Sequence, residues 1–197
     1  MRSLLLILLA SLCAAAQSGP VIRSDRDATA LHKGANEWGV ETGGGTSIPG
    51  GVSDRHYWML AGRWSRILTG ELGGGPLRGN LQYGVELIPA LVMSQSKTVY
   101  AGGFTPLLVR YNFTAHRRVV PYLEVGGGML GSVEPIPEGT SRFNFTPQAG
   151  IGLQHLMSER RSWTLGVRYH HTSNAGIAKR NPGINAVLVH AGLSWWR

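Results

Sequence analysis

Residues 80–93 read NLQYGVELIPALVM. Leu81, Tyr83, Val85, Leu87, Pro89 and Leu91 take alternate positions, with Gln82, Gly84, Glu86 and Ala90 on the other side. A two-residue period gives a strand one apolar face and one small or polar face. Seven further segments of similar character follow from that one, separated by turn-rich punctuation: 36–42, 55–67, 98–113, 119–132, 143–156, 162–173 and 185–196. The segment at 143–156 repeats the period, with Phe145, Ala149, Ile151 and Leu153 against Gln148, Gly150, Gly152 and Gln154. The segment at 36–42 is the shortest and shows the period least.

Which face points inward decides the environment. In a soluble, lipocalin-like barrel the apolar faces would fill the interior. Here the polar faces carry glycines together with Arg63, Glu86, Arg110, Glu124 and Arg168. Charges from several strands can meet and pair inside a narrow barrel, whereas glycines on an outer polar surface would have no evident use. The pattern therefore predicts an all-β fold, an eight-stranded antiparallel transmembrane β-barrel of outer-membrane type, apolar outside and polar inside. A tilted strand crosses a bilayer with roughly 9–11 residues, which most of these segments reach. Trp38, Trp58, Trp163, Trp195 and Trp196 lie near strand ends, where aromatic girdles form.

Bulk properties agree. The chain has 197 residues, enough for one domain, with 28 glycines, six tryptophans and only 15% charged residues. Mean hydropathy is −0.04, an average that conceals a wet and a greasy face. Residues 1–16 are expected to be a secretory signal: Arg2, then apolar Leu4 to Leu12, then small Ala14-Ala15-Ala16. Residues 17–35 are expected to form a periplasmic lead-in and 36–197 the barrel. Cys13, the single cysteine, would leave with the signal, and Leu12 is a poor neighbour for a lipidated cysteine. The formal charge of +8 calls for an anionic partner. No nucleic-acid motif or basic groove accompanies it, and a phosphorylated lipid surface suits it better.

Residues 170–185 read HHTSNAGIAKRNPGIN. Continuing the outward side of 162–173 through Trp163, Leu165, Val167 and Tyr169 reaches His171 and Ser173, while Arg168, His170 and Thr172 point inward. On the last strand the outward side runs Asn185, Val187, Val189, Ala191, Leu193 and Trp195. A symmetric hairpin pairing 173 with 183 sets Asn185 opposite His171 on one face. Histidine between serine and an amide is the order of a hydrolase triad. Polar residues resting at headgroup depth would show the same spacing. His56, His116, His155 and His190 are scattered without metal-ligand spacing. Arg117-Arg118 and Arg160-Arg161 fall in turns, and the GGG runs at 43–45, 73–75 and 126–128 lack a phosphate-loop context.

The fuller string resembles the His-x-Ser-Asn motif and following Asn-Pro-Gly segment of the lipid A 3-O-deacylase (PagL) family. The stretches FTPLLVRYNFTAHRRVVPYLEVGGG and SRFNFTPQAGIGLQH are similar to acyloxyacyl-hydrolase-like members. The resemblance covers most of residues 36–197. It implies an outer-membrane barrel with its site on the lipid-facing wall and lipid A, in lipopolysaccharide, as the substrate. It implies Ser173 as nucleophile, His171 as general base, and Asn174 with the backbone N–H near Gly176 as oxyanion donors. The third member of the family's triad is a glutamate twelve residues after the serine, where this chain has Asn185. An amide can accept from imidazole and fix its tautomer, but it supplies no charge; Glu134 or Glu138 is the alternative third residue. Lys179 and Arg180 are expected to meet substrate phosphates. The chemistry needs no cofactor and no metal, and assembly as a homodimer stays open. A non-enzymatic anchor or adhesion scaffold, or another lipid-modifying barrel such as an acyltransferase or phospholipase, are the rival functions.

Overall fold

The computed structural model describes residues 30–116 and 118–197. The expected signal at 1–16 and residues 17–29 of the expected lead-in lie outside the described residues. Eight strands run β1 (Asn36–Ile48), β2 (His56–Ile67), β3 (Gly79–Ser94), β4 (Thr98–Phe113), β5 (Val119–Ser132), β6 (Phe143–Ser158), β7 (Arg161–Thr172) and β8 (Ile184–Trp196). Each pairs antiparallel with the next, and β1 pairs with β8 to close the barrel. Closure leaves no strand edge unpaired, which a bilayer demands of any spanning sheet.

Seven strands lie within two residues of the sequence expectation; β1 does not. It runs on through Gly43-Gly44-Gly45 to Ile48, paired on both sides, Gly43 to Met59 and to His190. A Cβ at Gly43 would fall 2.7 Å from the Val189 carbonyl, and one at Gly45 2.8 Å from the Tyr57 ring. Two of the three glycines that hide the period, Gly43 and Gly45, stand where neighbouring strands leave no room for a side chain.

The interior is built in three layers. At the end where β1 begins and β8 finishes, Ala30, Ala35, Ile67 and Trp196 pack together. Trp196, expected in the outer girdle, therefore points inward and donates from Nε1 to Ser162 Oγ at 3.0 Å. Trp38, Trp58, Trp163 and Trp195 do face outward. The middle layer holds the expected charges, all buried, and Glu41 joins them. Glu124 meets Arg110 and Arg168, each at 2.9 Å, and Arg63 at 3.4 Å. Glu41 meets Arg63 at 3.2 Å and Arg168 at 3.4 Å, while Glu86 meets Arg168 at 3.2 Å.

The third layer, at the far end, departs from the polar-in rule. Tyr57, Met59, Ile88, Leu91, Met93, Val99, Leu130 and Leu188 form an apolar plug, capped by Ile136 from the β5–β6 loop and Ile184 from the start of β8. Leu91, expected outward, is turned in because the β3–β4 register shifts between Ile88 and Leu91. One irregular residue exchanges the two faces of everything beyond it. Side chains of the described residues thus fill the lumen.

Candidate active site

Alternation along β7 is unbroken. Trp163, Leu165, Val167 and Tyr169 are exposed, and Arg168, His170 and Thr172 are buried. His171 and Ser173 continue the outward face, each half-buried. Ser173 lies just past β7, where its N–H donates to the Phe145 carbonyl at 3.1 Å and its carbonyl accepts from Phe145 N–H at 2.7 Å. The β7–β8 register pairs His171 with Asn185, and Asn185 shares the outer face.

Side-chain contacts tighten this arrangement. His171 Nδ1 lies 2.6 Å from Asn185 Oδ1. The same oxygen accepts from the Tyr169 hydroxyl at 2.6 Å, and Asn185 Nδ2 donates to the Gly50 carbonyl at 2.8 Å. The imidazole ring rests on Gly183, whose φ is 65° and where a Cβ would sit 3.0 Å from His171 Cε1. Glycine is demanded there by both backbone and space. With Nδ1 donating to the amide oxygen, Nε2 keeps its lone pair. Among the described residues Ser173 Oγ has no hydrogen-bond partner, so the serine–histidine bond is unmade. Such bonds are often long before substrate binds.

The loop after Ser173 is organised by Asn174, which is buried. Its Oδ1 accepts from Gly176 N–H at 2.9 Å, its Nδ2 donates to the Arg180 carbonyl at 2.8 Å, and its own N–H donates to Asn181 Oδ1 at 3.0 Å. The two residues assigned to the oxyanion by resemblance thus bond each other. Lys179 and Arg180 are exposed on this loop, and Arg180 reaches to 3.3 Å from the position of a Cβ at Gly139 in the β5–β6 loop. Glu134 is taken by Arg142 at 3.4 Å. Glu138 accepts from Ser96 N–H and Oγ and lies 4.0 Å from Arg55. The Ser96 bonds hold its carboxyl below the usual carboxylate range. The group placed at His171 is Asn185, not either glutamate.

Gly50, and the bonds that Tyr169 and Asn181 make at the site, escaped the sequence reading. Tyr169 was findable, since it precedes His171 by two residues on the same face. Gly50 was not, because it reaches Asn185 across the β1–β8 closure, where Ile48 pairs with Asn185. Further round the same wall, a groove of about 530 Å³ is lined by Tyr100 and Gly102 of β4, Gly131 of β5 and Phe143 of β6.

Comparison with known proteins bears on the barrel and its family. The model of the family described as Lipid A 3-O-deacylase (PagL) matches residues 41–194, a span containing His171, Ser173 and Asn185. The crystal structure of the outer membrane enzyme PagL is 20% identical, with a TM-score of 0.61 over 78% of this chain and 97% of that one. The outer membrane protein OprG from Pseudomonas aeruginosa is 8% identical, with a TM-score of 0.56 over 86% of this chain and 98% of its own. Ail, the attachment invasion locus protein of Yersinia pestis, is 9% identical, with a TM-score of 0.51 over 84% and 99%. No curated protein matches. The structural likenesses speak for the barrel alone, and the family match speaks for more: the chain is an integral β-barrel of the bacterial outer membrane and belongs to the lipid A 3-O-deacylase (PagL) family.

Proposed function

We propose that this barrel is itself a deacylase, a serine esterase that hydrolyses the 3-O-linked acyl chain of lipid A. One observation carries the reading: His171 and Asn185 meet at 2.6 Å on the outer wall, two residues from Ser173 on the same face. Ser173 Oγ attacks the ester carbonyl carbon while His171 Nε2 takes its proton, and the carbonyl electron pair moves onto oxygen. Collapse expels the sugar oxygen, which recovers the proton from Nε2. Water then attacks the acyl-serine by the same route, releasing the fatty acid and restoring Ser173. For Gly176 N–H to hold the oxyanion, the substrate oxygen replaces Asn174 Oδ1 as its acceptor.

With the start of β1 and the end of β8 on the periplasmic side, β7 rises to Ser173 in the outer leaflet, where lipid A resides. Lys179 and Arg180, on the adjoining loop, face its phosphates. Neighbouring acyl chains have an apolar wall to lie on, including the groove beside Phe143. The test is direct. Purified barrel reconstituted with 3-O-acylated lipid A should release the 3-O hydroxyacyl chain, seen as a mass loss in lipid A. A folded wild-type barrel that leaves lipid A intact would instead be an anchor or adhesion scaffold with a relict site.

A further inference from the structure

A carboxylate in the third position of a triad offers an acceptor whichever way it turns. An amide does not. One end of Asn185 accepts and the other donates, so its direction decides which tautomer His171 adopts. We infer that the β1–β2 turn belongs to the site: the Gly50 carbonyl, seconded by the Tyr169 hydroxyl, sets the direction of the Asn185 amide and thereby the proton position on His171. This rests on the esterase reading of the same site.

The partners fix the direction chemically. Gly50 presents a carbonyl oxygen, which can only accept, so the Asn185 nitrogen must face it, at 2.8 Å. Asn185 Oδ1 then faces His171 Nδ1, which must carry the ring proton to donate to it, and Nε2 is left as the base. Were the amide reversed, its nitrogen would donate to Nδ1. The ring proton would move to Nε2, leaving no lone pair to receive the proton of Ser173. Reversal would also bring Oδ1 against the Gly50 oxygen, two acceptors with no proton between them. Tyr169 adds a second donor to Oδ1 at 2.6 Å.

The turn is shaped for the task. Gly50 has a φ of 107°, and a Cβ there would lie 2.8 Å from Asn185 Nδ2. Only glycine adopts that backbone readily and lets the carbonyl come so close. The turn is also fastened beneath the imidazole, since Val52 N–H donates to the Gly183 carbonyl at 2.9 Å and Gly183 underlies the His171 ring. Gly50 and Tyr169 are positioning residues: they bond Asn185, and of the three only Asn185 bonds His171.

Three full-length barrels test this beside wild type: Gly50→Ala, Tyr169→Phe and Asn185→Asp. Each is first checked for heat-modifiable migration, then assayed for kcat and KM on lipid A. The ¹⁵N shifts of His171 are read with the ring neutral. Wild type should show the Nδ1–H tautomer. Gly50→Ala should mix the tautomers and lower kcat by about tenfold or more with KM little changed; a fully wrong tautomer costs on the order of 10⁴ in the serine-protease triad. Tyr169→Phe should lower kcat several-fold, again at constant KM. Asn185→Asp, equal in length, sets a carboxylate oxygen against the Gly50 carbonyl and should be slower than wild type despite its charge. An Nε2–H tautomer in wild type, an Asn185→Asp barrel as fast as wild type, or full kcat in Gly50→Ala overturns the inference. Wild type inactive on lipid A would instead sink the esterase reading, while the tautomer measurement still decides the direction of the amide.

Discussion

Ser173 is tied to its neighbours through backbone alone, by the two bonds to Phe145 at 2.7 and 3.1 Å. Its hydroxyl therefore contributes little to folding. Ser173→Ala should assemble normally, migrate as a heat-modifiable barrel, and leave the 3-O chain of lipid A in place. In subtilisin, removing the nucleophile lowers turnover on the order of 10⁶, and a loss of that size is expected here by mass spectrometry of lipid A. Thr172 is buried on the inward side and cannot substitute. His171→Ala should do nearly the same, because in the proposed reaction the two act as one unit. Wild-type release of fatty acid from Ser173→Ala would remove the serine from the chemistry.

At the level of strands, β1 shows how closure depends on missing side chains. Gly43→Val would drive a branched side chain into the Val189 carbonyl and the His190 Cβ, which lie 2.7 and 2.9 Å from the position of the new Cβ. The β1–β8 pairing should fail to form, and the heat-modifiable band should fall sharply on refolding in detergent. The same strand marks a limit of legibility. β7 and β8 declare themselves because lipid outside and charge inside enforce strict alternation, and the opposition of His171 and Asn185 follows from two faces and one hairpin. The run GGG in β1 has no alternation to read, since Gly43 and Gly45 leave room for His190 and Tyr57. The shift after Ile88 that turns Leu91 inward is equally silent, being a property of two strands in register rather than of one sequence. Asn174 and Gly176 were legible as loop residues but not as partners, because side chain-to-backbone bonds shape that loop. Gly50 arrives from 135 positions away, and only the closed barrel brings it there.

For the whole molecule, the charge layer is the main commitment. Arg168 bridges Glu41, Glu86 and Glu124 at full burial. Removing one partner from a buried ion network strands the others, typically at a cost of about 3–5 kcal/mol. Arg168→Leu should lower the urea midpoint of the detergent-folded barrel accordingly, while the wall geometry of His171 and Asn185 survives in whatever fraction folds. An unchanged midpoint would show that the carboxylates find protons or water instead. The apolar plug and charge layer also fill the lumen, so reconstituted protein should give no stepwise conductance in planar bilayers. Open-channel steps would contradict the filled interior.

On the proposed esterase reading, a site cut into the outside of a stoppered cylinder would meet its substrate sideways, by drift within one leaflet. For such a catalyst molarity is the wrong variable. Turnover should follow the mole fraction of lipid A in the surrounding film, so diluting it with inert phospholipid at fixed bulk concentration should slow the enzyme. A fatty acid liberated by the proposed reaction would be delivered into the same film and stay beside the wall until it diffused off in two dimensions.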